Sequence, residues 1–190
     1  MEQKVFTYWG KMFDFKLYIT KDLAQGDTYY TAGVDSIIIS EKHTHKYIQT
    51  IVCDENSYIC SPTDSPRFYL EDMNFDGYED FRIAEFLPAG PNVPFYYWLY
   101  NNNTQRFEPN SALEEITSPQ FDQKNKSITS HWRASATLNG VTTYKLINGT
   151  PEITDETDEE YSDEFTTITT KKRINGELKI VSQKQVNNEQ

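Results

Sequence analysis

The chain has no long apolar run. Its densest hydrophobic stretch, Phe95 to Tyr100, is six residues, against the roughly 20 that a membrane-spanning helix needs. The opening Met1-Glu2-Gln3-Lys4 lacks the apolar segment of a secretory signal, so the expectation is either a cytosolic chain or a mature form made without its leader. A basic stripe is also missing, which argues against nucleic acid as a partner, because no row of cations is present to displace counterions. The Lys171-Lys172-Arg173 cluster is short and reads as the solvated end of a strand. No G-x-S-x-G elbow, Walker loop or H-E-x-x-H helix occurs, which removes the commonest hydrolase, nucleotide and zinc-protease signatures.

The net charge of −11 is confined to two places. Residues 152–164 carry eight acids and no base, and residues 71–80 carry five acids and no base. Without those thirteen acids the −11 becomes +2, so the remainder is close to neutral. Segment 152–164 shows no periodic apolar pattern and is expected to be an acidic, solvated loop between strands.

Aromatic residues are plentiful, at 14% with thirteen Tyr and eleven Phe, a usage suited to strands. Phe13 to Thr20 alternates apolar and polar residues, the period of a half-buried strand, and the Ile-rich runs Asp35 to Ser40 and Ile48 to Cys53 are also read as strands. Further strand-like runs are Arg67 to Leu70, Phe81 to Leu87, Phe95 to Tyr100, Ser127 to Ala136, Thr142 to Ile147, Glu164 to Ile174 and Leu178 to Val186. Asn-Gly pairs at Asn139-Gly140 and Asn175-Gly176 lie between such runs, and a third is Asn148-Gly149. This dipeptide supplies the two positive-φ residues of a type I′ hairpin turn. Only Asn110 to Ile116 carries a helical signal, with Glu114 three residues after Ser111 as in a capping box. At 190 residues the expectation is a single all-β domain spanning 1–190, an antiparallel meander closing into a β-propeller-like or barrel-like arrangement.

Cys53 and Cys60 flank the turn-like Asp54-Glu55-Asn56-Ser57. A hairpin there predicts a disulfide, whose short loop contributes about 2.5 kcal/mol in the chain-entropy model and favours an oxidising compartment. Two unpaired thiols in a cytosolic chain are the alternative.

The motif with the clearest chemistry is Asp72-Met73-Asn74-Phe75-Asp76-Gly77-Tyr78-Glu79-Asp80, a D-x-N-x-D-G-x-x-D loop. Calcium takes several oxygen ligands at about 2.3–2.6 Å, and alternate residues of a tight loop can point inward together. The expected structural calcium ligands are the side chains of Asp72, Asn74 and Asp76, the backbone carbonyl of Tyr78 and the side chain of Asp80. Gly77 permits the sharp turn between them. An EF-hand is excluded, because its twelfth position should be Glu and here is Ile83. His43 and His45 are two residues apart and on a strand would share a face fit for zinc. With no third ligand in a recognisable spacing, they read as surface histidines.

The calcium loop, then Phe81-Arg82-Ile83, Trp98-Leu99-Tyr100-Asn101, Thr104-Gln105-Arg106-Phe107, and Phe121-Asp122 before Ile128-Thr129-Ser130 follow an order that resembles the bacterial XAC2610-like proteins. These are periplasmic immunity proteins of an antibacterial type IV secretion system, and the resemblance covers about residues 65–150. It implies a propeller-like fold with a structural calcium, related in shape to periplasmic lysozyme inhibitors. The implied activity is non-enzymatic: binding a lysozyme-like peptidoglycan hydrolase effector and blocking its active site with a loop bearing Tyr and Gly. Tyr8-Trp9-Gly10 and Tyr30-Thr31-Ala32-Gly33 carry suitable residues. The same resemblance implies a periplasmic or secreted location. The competing expectation is a calcium-stabilised carbohydrate-binding or adhesion module, since exposed Tyr and Trp can stack on sugars; a hydrolase is a third.

Overall fold

The computed structural model describes residues 2–22, 31–53, 66–86 and 88–188. The expected Cys53–Cys60 bridge and the Tyr30 end of one candidate inhibitory segment therefore lie outside the described residues. The described chain is an all-β antiparallel meander of three sheets with one single-turn helix. It divides into two compact units, one of residues 1–87 and 94–111, the other of residues 88–93 and 112–190.

The first unit holds two four-stranded sheets. One is β1 (Glu2–Trp9), β2 (Phe13–Asp22), β3 (Thr31–Glu41) and β4 (Tyr47–Val52); the other is β5 (Phe68–Glu71), β6 (Asp80–Ala84), β7 (Phe95–Asn101) and β8 (Arg106–Pro109). β2 shows why the first sheet forms: Phe13, Phe15, Leu17 and Ile19 are buried, while Asp14, Lys16 and Tyr18 between them are not. Each fully buried side chain of this size contributes about 1.5–3 kcal/mol. Ile37, Ile39 and Ile51 join them, and from the second sheet come Phe68, Phe81, Ile83, Tyr100 and Phe107. Both sheets thus share one aromatic-rich core, in which Phe15 lies 5.4–5.6 Å from the rings of Phe68, Phe81 and Phe107. The Gln49 amide ties the two sheets at their edges, donating to the Phe107 carbonyl and accepting from its N–H at 3.0 Å each. β1 is a strand that the sequence pattern does not announce; its register on β2 (Val5 opposite Tyr18, Trp9 opposite Asp14) supplies it.

The second unit is a six-stranded sheet of β9 (Pro119–Asp122), β10 (Ser127–Arg133), β11 (Leu138–Ile147), β12 (Thr150–Tyr161), β13 (Phe165–Ile174) and β14 (Glu177–Asn187) in sequence order. The one helix, α1 (Ser111–Glu114), precedes it where the capping signal predicts. Segment 152–164 is not a loop, contrary to expectation. Most of it is β12, hydrogen-bonded to β11 on one side and β13 on the other. Its acids are matched across the sheet by the basic cluster of β13: Lys171 lies 2.7 Å from Glu156 and 3.1 Å from Asp158, Lys172 lies 3.5 Å from Asp155, and Arg173 lies 3.4 Å from Glu152. Cross-strand opposite charges stabilise a sheet, so a strand exists here without the apolar face that period-2 reading requires.

The Asn-Gly pairs divide as well. Asn148-Gly149 and Asn175-Gly176 have positive φ at both positions and turn β11 into β12 and β13 into β14. Asn139-Gly140 instead sits inside β11, against expectation, and Gly140 is there for space. A Cβ on it would lie 2.5 Å from the Trp132 ring and 2.7 Å from the Thr157 carbonyl.

Candidate metal centre

The loop of residues 72–79 connects β5 to β6, whose register pairs Glu71 with Asp80 at its mouth. Its sequence dictates its shape. Asp72 accepts from the N–H of Asp76 through one oxygen at 3.1 Å and from that of Gly77 through the other at 2.8 Å. The Asn74 carbonyl oxygen also accepts from Asp76 N–H at 3.1 Å, and its Nδ2 donates to Asp76 Oδ2 at 2.9 Å. Asp76 Oδ1 accepts from Tyr78 N–H at 2.9 Å. These are the local side-chain-to-backbone bonds that Asp and Asn favour in turns. Two residues adopt the left-handed region, Phe75 at φ 64° and Gly77 at φ 94°. Nothing lies within 4 Å of a Cβ on Gly77, so that glycine is required by its backbone conformation alone.

Asp80 is the anchor. It is fully buried, and its two oxygens accept from the N–H of Met73 and of Tyr100, at 2.8 Å each. Burial pushes its carboxyl up to about 7; the two N–H donors pull the other way, and the charges of Asp76 and Asp72 raise it further. Glu71, just before the loop, ion-pairs with Arg82 at 2.9 Å; burial raises its carboxyl, with Arg82 opposing.

Asp72, Asn74, Asp76 and Asp80 are therefore brought to one turn, together with Tyr78, whose ring lies 5.5 Å from that of Tyr100. These residues offer hard oxygens, the chemistry calcium prefers, and the charges of Asp76 and Asp72 bear on Asp80. As they stand, Asp72 and Asp76 cap loop amides. Among the described residues no group of three or more His, Cys, Asp or Glu side chains is gathered closely enough to hold an ion. The residues fit calcium in type and order. His43 and His45 are not on a strand: both are exposed in the connection from β3 to β4, with His45 at φ 56°.

One residue of the motif has a role that spacing does not reveal. Glu79 Oε2 accepts from the backbone N–H of Lys11 at 2.8 Å, which fastens the loop to the turn between β1 and β2. Gly10 makes this approach possible, because a Cβ there would collide with the Glu79 carboxylate and the Phe13 carbonyl. Of the candidate inhibitory segment Tyr8-Trp9-Gly10, Tyr8 is committed inward. Its hydroxyl donates to the Pro66 carbonyl at 2.9 Å and its ring lies 4.7 Å from Phe68.

No family model matches the sequence, and no curated protein matches it. Among solved structures, the fold is similar to that of a Xanthomonas type IV secretion system related protein. The TM-score is 0.64 at 18% identity, over 95% of this chain and 94% of that one. At this identity the likeness is one of fold. Among the described residues no helix is long and apolar enough to cross a membrane.

Proposed function

We propose that this chain is a calcium-stabilised, non-enzymatic binding protein of the bacterial periplasm that inhibits a lysozyme-like peptidoglycan hydrolase delivered by a type IV secretion system. The observation that carries this reading is the likeness in fold, over nearly the whole of both chains, to a protein related to such a system. The sequence order of the calcium loop and the aromatic strand β7 supports it independently.

In this reading the metal is structural, held by Asp72, Asn74, Asp76, Tyr78 and Asp80, and the inhibitory surface lies elsewhere. Lysozymes are commonly basic, so exposed acids assist encounter. Four acids of β12 are engaged by β13, whereas Glu160 near the end of β12 and Asp163 and Glu164 just beyond it are exposed and steer the partner.

The test is protection of peptidoglycan from a panel of lysozyme-like enzymes by the purified protein, in calcium and in EDTA. Stoichiometric inhibition of at least one enzyme is expected, with slower association for Glu160→Lys/Asp163→Lys at low salt. Absence of inhibition across the panel in both conditions overturns the reading.

A further inference from the structure

The outward face of the β1–β4 sheet carries a second feature. Register places Trp9 opposite Asp14, Asp14 opposite Ser40, and Ser40 opposite Tyr47. One row of side chains therefore crosses all four strands. Phe13, Phe15 and Ile39 point into the core, so by strand alternation Asp14 and Ser40 point away from it. The row lines an open groove of about 430 Å³, with Lys16 and His45 also on its wall. That volume falls in the range of roughly 300–1,000 Å³ typical of small-ligand sites.

Both ends of the row are aromatic and wet. Trp9 is 72% exposed on one edge strand and Tyr47 is 60% exposed on the other. Three inter-strand spacings separate them, about 14 Å. Between them Asp14 Oδ1 is buried with no hydrogen-bond partner, an arrangement that leaves a strong acceptor unsatisfied.

We propose that this groove is a saccharide-binding site that takes a short, neutral oligosaccharide lying across the strands. Apolar sugar faces stack on Trp9 and Tyr47. A sugar hydroxyl between them donates to the half-buried carboxylate of Asp14 on the groove wall. The Ser40 hydroxyl and Lys16 ammonium donate to ring and hydroxyl oxygens. The complementarity selects this occupant over others. Asp14 and Lys16 carry opposite charges on one wall, which favours no ion of either sign. A purely apolar segment would leave the Asp14 oxygen unpaired, whereas a ligand with hydroxyl donors and apolar C–H faces satisfies acid and aromatics together.

The experiment is a titration of the ¹⁵N-labelled full chain with chitotriose and with cellotriose, followed by NMR. Saturable shifts are expected at the Trp9 indole N–H and at the amides of Asp14 and Ser40, for at least one sugar. Trp9→Ala and Tyr47→Ala should each weaken binding by about tenfold or more. Both side chains lie mostly in solvent, so the variants keep the wild-type amide spectrum. No saturable shift with either sugar overturns the proposal, as does wild-type affinity in both aromatic variants. Loss of hydrolase inhibition in Trp9→Ala without any sugar-dependent shift also overturns it, by making this face a protein-docking surface. Sugar binding lost in Trp9→Ala while hydrolase inhibition persists supports it and leaves the inhibitor reading standing on its own.

Discussion

The carboxylate of Asp80 accepts a hydrogen bond from the backbone N–H of Tyr100 at 2.8 Å, across 20 residues of chain. Its other oxygen takes the N–H of Met73. One buried side chain thus joins the loop of residues 72–79 to the end of β7. The loop is a structural joint of the first unit, and its integrity and that of the aromatic core depend on each other.

Asp80→Ala leaves two buried amides without acceptors. Each unsatisfied group costs about 1–3 kcal/mol, so a loss of roughly 2–6 kcal/mol is expected. Asp76 is less buried, and its removal should cost less in EDTA. Urea unfolding of both variants in EDTA checks this. Equal midpoints would contradict the anchoring role of Asp80.

Calcium should raise the melting temperature of the wild-type protein relative to EDTA. A ligand at 100 times its Kd stabilises by about 2.7 kcal/mol. Asp76→Ala should abolish the calcium dependence while the variant remains folded. Identical melting of the wild type in calcium and EDTA would sink the metal assignment.

Gly10→Ala should be destabilising by about 1–3 kcal/mol through overpacking, because its new methyl meets the Glu79 carboxylate and the Phe13 carbonyl. Shortening the partner tests the cause: in a Glu79→Ala background, part of the Gly10→Ala penalty should disappear. A double-mutant cycle by thermal unfolding measures it, and strict additivity would argue against the contact.

Glu41 reports on the turn between β3 and β4. Its carboxyl is held down to about 2, first by Thr44 and then by the backbone N–H of His43, with Thr44 N–H at 2.6 Å and His43 N–H at 3.2 Å. The folded value lies below the unfolded 4.5. Its contribution to stability is therefore fully present above pH 4.5 and is lost as pH falls toward 2. A carboxyl-resolved NMR titration should show Glu41 with a midpoint near 2. A midpoint near 4.5 would show that the turn does not hold it.

Much of the fold was legible in local pattern. The alternation of Phe13 to Thr20 announced a half-buried strand, and the D-x-N-x-D-G run announced a tight turn, though not that its side chains cap the loop's own amides. Asn175-Gly176 announced a type I′ turn. Each of these depends on residues only a few positions apart, where sequence and geometry are tied directly. The strand at residues 150–161 was not legible, because it has no apolar face and its charges are balanced by residues 171–173 on the neighbouring strand. Asn139-Gly140 misled for a related reason: the ring of Trp132, not a turn, requires that glycine.

The loop of residues 72–80 shows the same division within one site. The sequence by itself determined its donor set and its turn, since Asp72, Asn74, Asp76 and Gly77 act on their own backbone within five residues. Only the tertiary structure decided that Asp80 holds Tyr100, that Glu79 holds Lys11 across 68 residues, and that Trp9 and Tyr47 end one row of a groove. Those relationships follow from strand register and from closure of a shared core. Both are set by long-range packing, which no local spacing of residue types encodes.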